Sequence, residues 1–157
     1  MTDGDERAIR AVIFDYAWAI DFKDWPALRA CFTDPCDLAY GGGHPALPHP
    51  HEGGGDIAFT RRDDFVDYIA RTHAPIRSFH MMGASAIAPE EPGVARARTY
   101  GRLVLADPEA GGARFESAGV YEDVVVREPD GAWRLHARKY TRLWSDGDPA
   151  ILRPREG

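Results

Sequence analysis

Residues 113–144 read ARFESAGVYEDVVVREPDGAWRLHARKYTRLW, and this stretch decides the fold. On either side of Pro129-Asp130-Gly131, apolar and polar residues alternate in segments rich in Val, Tyr and Trp, the pattern of half-buried strands. Pro fixes φ, Asp bonds its own backbone and Gly tolerates positive φ, so the two segments fold back as an antiparallel hairpin. Working outward, the same reading gives four strands at Arg77–Ala88, Ala95–Ala106, Ala113–Arg127 and Ala132–Trp144. Their connectors, Pro89–Gly93, Asp107–Gly112 and Pro129–Gly131, all contain Pro and Gly. Connections this short imply antiparallel neighbours.

Upstream the period changes. Ile9, Val12, Ile13, Tyr16, Ala17 and Ile20 fall on one face of a helix, which ends at about Asp21–Phe22. Asp3 with Glu6 has the spacing of a capping box and places the start near Gly4. Asp24 then caps a short helix with Pro26 in its first turn, running to about Phe32. Thr60 and Asp63 repeat the capping-box spacing and open a third helix through Phe65, Val66 and Ile69, which stops before Pro75. Between the second and third helices, residues 41–55 hold six glycines and three prolines, which excludes a helix or a central strand and predicts a long loop between early strands, a lid or an oligomer contact. Helices first and a long meander after make an α+β layout, one domain over residues 1–147 with a C-terminal tail over 148–157.

Composition narrows the function. A chain of 157 residues with 44% hydrophobic and 28% charged residues is ordinary globular material. A net charge of −6 argues against nucleic acid as a partner. The N-terminus carries acids where a signal peptide carries positive charge, and no apolar run reaches the ~20 residues of a membrane span, so a cytoplasmic location without membrane association is expected. Cys31 and Cys36 match neither a redox nor a zinc spacing and read as free thiols. His44, His49 and His51 have a conceivable metal spacing, but a Gly/Pro loop lacks the surrounding groups that fix ligands, and no metal is expected.

Two polar residues stand where the fold does not need them. Asp21 continues the buried stripe at the C-terminal end of the first helix, where a carboxylate opposes the helix dipole; it is either a solvated turn residue or a site residue. His80 lies in RSFHMMGAS (residues 77–85) between Phe79 and Met81, either as a core histidine donating to a backbone carbonyl or as a general base. A histidine facing a carboxylate has its tautomer fixed and its other nitrogen left as a base.

YAWAIDFKDWPALRACF (residues 16–32) resembles the first-helix signature of the SnoaL-like, or nuclear-transport-factor-2-like, cone family. RSFHMMGAS resembles the strand that carries that family's histidine, and YEDVVVREPDGAWRLHAR (residues 121–138) its closing hairpin. The resemblance implies three N-terminal helices packed on a curved, mostly antiparallel sheet. It also implies, as in the similar scytalone dehydratase, bile-acid 7α-dehydratase and hexachlorocyclohexane dehydrochlorinase, a His–Asp pair that removes a proton from carbon with no metal or organic cofactor. The acid matches Asp21 and the histidine His80, while Tyr16 stands where relatives contact the leaving group. Arg138 matches a pocket arginine of some relatives, although Arg134, His136, Arg138 and Arg142 share a period-2 face, so His136 and Arg138 are expected to point the same way. Trp18, Tyr40, Tyr100, Tyr121, Tyr140 and Trp144 are candidate wall or core residues. The chain departs from the family in ARARTYGRLVL (residues 95–105), which lacks the second pocket histidine of scytalone dehydratase and the acid of the bile-acid enzymes; Tyr100 or Arg102 is the nearest polar substitute. The expected activity is a lyase or dehydratase, or an isomerase, on a small cyclic, polyketide or steroid-like molecule, in a homodimer or homotrimer. The same fold also serves polyketide cyclases, epoxide hydrolases and non-catalytic ligand-binding or dioxygenase small-subunit modules.

Overall fold

The computed structural model describes residues 1–43 and 57–152. Helix α1 (Asp3–Asp21) opens on Thr2, whose hydroxyl accepts from the Asp5 N–H while the Asp5 carboxylate accepts from the Thr2 N–H. The capping box therefore stands one residue earlier than the Asp3–Glu6 spacing predicts. The stripe is as read, with Ile9, Val12, Ile13, Tyr16, Ala17 and Ile20 all buried, and each large aliphatic among them is worth about 1.5–3 kcal/mol. Helix α2 (Trp25–Ala30) is capped by Asp24, which accepts from the Ala27 N–H, and it ends before Phe32.

Strand β1 (Phe32–Gly43) follows, then β2 (Ile57–Phe59), and only then α3 (Arg62–His73). The helices are thus not all N-terminal: two strands intervene before the third. The Thr60–Asp63 capping box is absent too. The cap is Arg61, which has no side-chain cap bond. Asp34 of β1 instead accepts from the Arg62 N–H at 3.4 Å and from the Arg61 guanidinium at 3.0 Å. Residues 44–56, including His44, His49 and His51, lie outside the described residues, as do 153–157.

Strands β3 (Arg77–Glu91), β4 (Val94–Asp107), β5 (Ala113–Arg127) and β6 (Trp133–Gly147) form the antiparallel meander expected of their turns. The sheet order is β2-β1-β6-β5-β4-β3, with β1 parallel to β6. Two glycines face each other across β4 and β5 where the sheet must yield to large rings. A Cβ on Gly101 would stand 2.4 Å from the Tyr121 ring, and one on Gly119 would stand 2.3 Å from the Thr141 carbonyl and 2.8 Å from the Tyr140 ring. β6 carries a bulge at each end of its middle third, because Val124 pairs Ala137 while Val125 pairs Leu135, leaving His136 unpaired. α1 and α3 pack their apolar faces on the inner side of this curved sheet, around Phe32, Leu38, Phe65, Tyr121 and Leu135. The chain after Gly147 stays with the body for one more element: a 3-10 turn at Pro149–Leu152 seats Ile151 against Ile76, Leu105 and Phe115. Among the described residues no helix is long and apolar enough to cross a membrane.

Candidate active site

The last residue of α1 and the fourth residue of β3 meet. Asp21 Oδ1 lies 2.7 Å from His80 Nδ1, and Asp21 Oδ2 accepts from the His80 backbone N–H at 2.7 Å. A carboxylate gripped at both oxygens by one residue cannot rotate, so the imidazole plane is fixed with it. Neither side chain is exposed, at 14% and 5%. Burial opposes ionisation of Asp21, but the hydrogen bonds and charge of His80 outweigh it, with Ser78 adding in the same direction, and hold the carboxyl below its ordinary value. Because an ionised carboxylate only accepts, the bond to Asp21 places a proton on His80 Nδ1 and leaves Nε2 as the ring's other nitrogen. That Nε2 makes no hydrogen bond among the described residues.

Lys23 and His73 complete this corner. Lys23 turns the chain out of α1 at φ 62°, a left-handed conformation unusual for a residue with a side chain, and its Nζ donates to Ser78 Oγ at 3.3 Å. Burial lowers the lysine's proton affinity and nearby Asp21 partly restores it. His73, in the last turn of α3, sets its ring 6.3 Å from that of His80, centroid to centroid.

Tyr16 bridges to the second polar feature. Its ring stands edge-on to His80 at 6.3 Å and to Tyr121 at 6.0 Å, with the Arg138 guanidinium 4.2 Å from its centroid. Burial above all raises the Tyr16 phenol well above its ordinary value, so it is a permanent proton donor. Arg138 is bound by Asp123 through two bonds of 2.7 and 2.8 Å, and both side chains are 0% exposed. Burial disfavours the arginine's charge, but Asp123 outweighs it and the guanidinium is held charged. Among the described residues its remaining Nη1 has no hydrogen-bond partner, and neither has Tyr40 Oη, although Tyr16 and Tyr40 lie close enough to influence each other's ionisation.

Of the residues singled out in the sequence, the structure brings Asp21, His80, Tyr16, Arg138, Tyr40 and Tyr121 to the interior, with Tyr140 bonded to Ser117 Oγ at 2.7 Å. Trp18 and Tyr100 do not belong there. Trp18 is exposed and stacks on Phe22, because it falls between the stripe positions of α1; Tyr100 points from the outer face of β4, as its alternation with buried Thr99 requires. Trp144 is likewise largely outside. The expectation that His136 and Arg138 point the same way is overturned by the bulge: Leu135 and Arg138 are both buried, while His136 is exposed and meets Thr33 Oγ1 at 3.0 Å. Asp123 and His73 were not foreseen. Each had a signal, an acid on the buried alternation Tyr121, Asp123, Val125, and a histidine four residues after Ile69 on the stripe of α3. Cys31 and Cys36 are free, buried thiols, pushed up to about 12 and about 11 by burial. A trough of about 700 Å³ runs beside Arg96, Arg98, Glu122 and Lys139; neither Asp21 nor His80 borders it.

Helices packed on one face of a curved six-stranded sheet define a class, the cone-fold proteins. The model of the SnoaL-like domain matches residues 4–139, and the chain belongs to that family. Solved structures agree in fold. A Novosphingobium aromaticivorans protein provisionally assigned as an aromatic ring hydroxylase superposes with a TM-score of 0.79 at 19% identity, over 98% of this chain and 99% of its own. A provisionally assigned scytalone dehydratase from the same organism gives 0.74 at 20% identity, over 92% and 87%. A type 2 hexachlorocyclohexane dehydrochlorinase, LinA, gives 0.73 at 15% identity, over 98% and 95%. No curated protein matches the chain.

Proposed function

We infer that this protein is a lyase of the dehydratase type that acts on a small cyclic ketone or related molecule by general base catalysis. The observation that carries the reading is the Asp21–His80 pair, in which one imidazole nitrogen is tied at 2.7 Å and the other has no hydrogen bond among the described residues. His80 Nε2 removes a proton from the carbon beside a carbonyl, and Asp21 stabilises the imidazolium that forms. Tyr16, held protonated by its burial, donates to the carbonyl oxygen on which charge gathers. The fixed positive charge of Arg138 sits behind the Tyr16 ring and favours an anion on that side. Acid–base help is worth about 10²–10⁴-fold and charge stabilisation about 10²–10³-fold, which together suit a C–H bond already activated by a carbonyl. Structural neighbours named as a dehydratase and a dehydrochlorinase, both eliminating enzymes, support the same reading.

The test is turnover of a panel of cyclic β-hydroxy ketones by wild type, His80→Ala and Asp21→Asn. His80→Ala is expected to lower kcat/KM by about 10²–10⁴-fold. Asp21→Asn, which can leave His80 in the wrong tautomer, is expected to lower kcat more than it raises KM. Turnover that survives both changes ends the assignment.

A further inference from the structure

Lys23 is the residue at this corner that the dyad mechanism does not use. It stands two positions after α1, in a turn that its hydrogen bonds define. The Lys23 N–H donates to Ile20 O at 3.2 Å and the Asp24 N–H to Ala19 O at 2.8 Å, the two bonds that close a helix through one left-handed residue. That residue is Lys23, at φ 62°, and among the described residues no other non-glycine has a positive φ. Glycine takes this position without steric cost, whereas the Cβ of any other residue crowds its own backbone. A lysine where glycine fits best is an outlier that its side chain has to justify.

That side chain is half-buried and turns toward β3, where Nζ donates to Ser78 Oγ at 3.3 Å. Ser78 and His80 share one face of β3 two residues apart, a spacing of about 7 Å. A hydroxyl that accepts from an ammonium still has its own hydrogen to give, and Ser78 favours the carboxylate form of Asp21 beside it. Asp21 in turn accepts from the His80 backbone N–H and meets Nδ1, each at 2.7 Å. Ammonium, hydroxyl, carboxylate and imidazole therefore follow one another. A cation is also what this spot lacks otherwise. Asp21 sits at the negative end of the α1 dipole, and the last turn of α1 contains no basic residue. The other titratable groups that face the pair are Tyr16 of α1 and His73 of α3, and burial keeps both uncharged.

We propose that Lys23 is a positioning residue for the elimination: through Ser78 its ammonium holds the Asp21 carboxylate in line with His80, and the left-handed turn keeps a lysine for that contact. The inference rests on the assignment of His80 as base. Lys23 touches no reacting atom in this scheme. It acts on the carboxylate that orients the imidazole, and its charge, within reach of the ring, opposes a second positive charge there. Removing the charge should therefore change how the pair handles a proton, while removing the side chain and its strain together should leave the fold at least as stable as before.

The experiment compares wild type, Lys23→Gly, Lys23→Met and Lys23→Arg by thermal unfolding and by turnover of 3-hydroxy-1-tetralone, which loses water to give 1-naphthol. Lys23→Gly removes strain and charge together. It is expected to raise Tm by about 2 °C and to lower kcat about tenfold with KM little changed, a divergence that a merely structural lysine would not give. Lys23→Met keeps the strain without the charge and is expected to lose the same activity with no gain in Tm. Lys23→Arg keeps both and is expected to recover most of the turnover. ¹⁵N spectra of histidine-labelled protein read the same claim without substrate. The titration midpoint of the His80 ring is expected to rise by about one pH unit in Lys23→Met and to return in Lys23→Arg. A lower Tm in Lys23→Gly, or superimposable His80 titrations in wild type and Lys23→Met, overturns the proposal. Full kcat in Lys23→Met beside a dead His80→Ala overturns it and leaves the base assignment standing. Turnover that survives His80→Ala overturns the base assignment itself.

Discussion

The protein buries two carboxylates against two basic side chains, and they are not alike. Asp123 and Arg138 face each other across β5 and β6, each with no exposed surface, joined by two parallel bonds. Asp21 and His80 meet where a helix end touches an edge strand, and both keep some contact with the outside. The first pair is a fixed dipole: a guanidinium does not lose its proton, and Asp123 holds its geometry. The second pair contains the one side-chain type whose ordinary proton affinity lies near neutrality. A pair deep in a sheet sets a constant field, and a pair at a seam can exchange a proton.

Breaking each pair should expose that contrast. The largest expected effect on stability is at the deep pair. Arg138→Met leaves Asp123 buried without its partner and should cost about 3–5 kcal/mol in urea unfolding, whereas the double change Arg138→Met/Asp123→Leu should recover much of it. A single variant as stable as wild type would show that water reaches Asp123.

The seam pair and its neighbour His73 should govern the acid limb. For His73 the native value, about 3, lies below the ordinary 6.5, so the unfolded chain takes up the proton first as pH falls. The stability held by its neutral burial is complete above pH 6.5 and is lost progressively toward pH 3, on the order of a few kcal/mol. Asp21 has the same sign lower down: its contribution is complete above 3.8 and is lost as pH falls through its depressed native value. Unfolding midpoints at pH 7, 5 and 4 should therefore fall steeply in wild type and less steeply in His73→Phe. Parallel slopes would mean that His73 is solvated.

The smallest effect marks the edge of the site. Trp18→Ser, on the exposed side of α1, should change stability by less than about 0.5 kcal/mol and leave turnover intact, despite removing an aromatic residue three positions before Asp21.

What the sequence made legible followed from periodicity. The stripe of α1, the four strands of the meander and their turns depend on local pattern, and Asp21 and His80 stood out as polar residues on otherwise apolar elements. Early strands beside the Gly/Pro loop were expected, but the bounds of β1 were hidden because FTDPCDLAYGGG combines Pro, Asp and Gly and gains its place from β6, a partner about a hundred residues away in sequence. The cap of α3 was misread for the same reason, since Asp34 supplies it from another element. Arg138 was ambiguous because one unpaired residue, His136, reverses the alternation of β6, and a bulge leaves no mark in composition. His73 was overlooked although its position on the helix stripe was available, because a buried histidine looks like any other stripe residue until a second ring is seen beside it.

The parallel contact between β1 and β6 has a consequence for how the chain is made. β6, the latest of the six strands in chain order, occupies a central slot between β1 and β5. Until it emerges, the growing polypeptide can hold only two separate half-sheets, β1 with β2 and β3 through β5, each presenting a bare row of amides and carbonyls to its surroundings. Assembly must wait for that insertion, so a ribosome-stalled or proteolysed species ending near residue 130 should be the form that chaperones capture and that precipitates first.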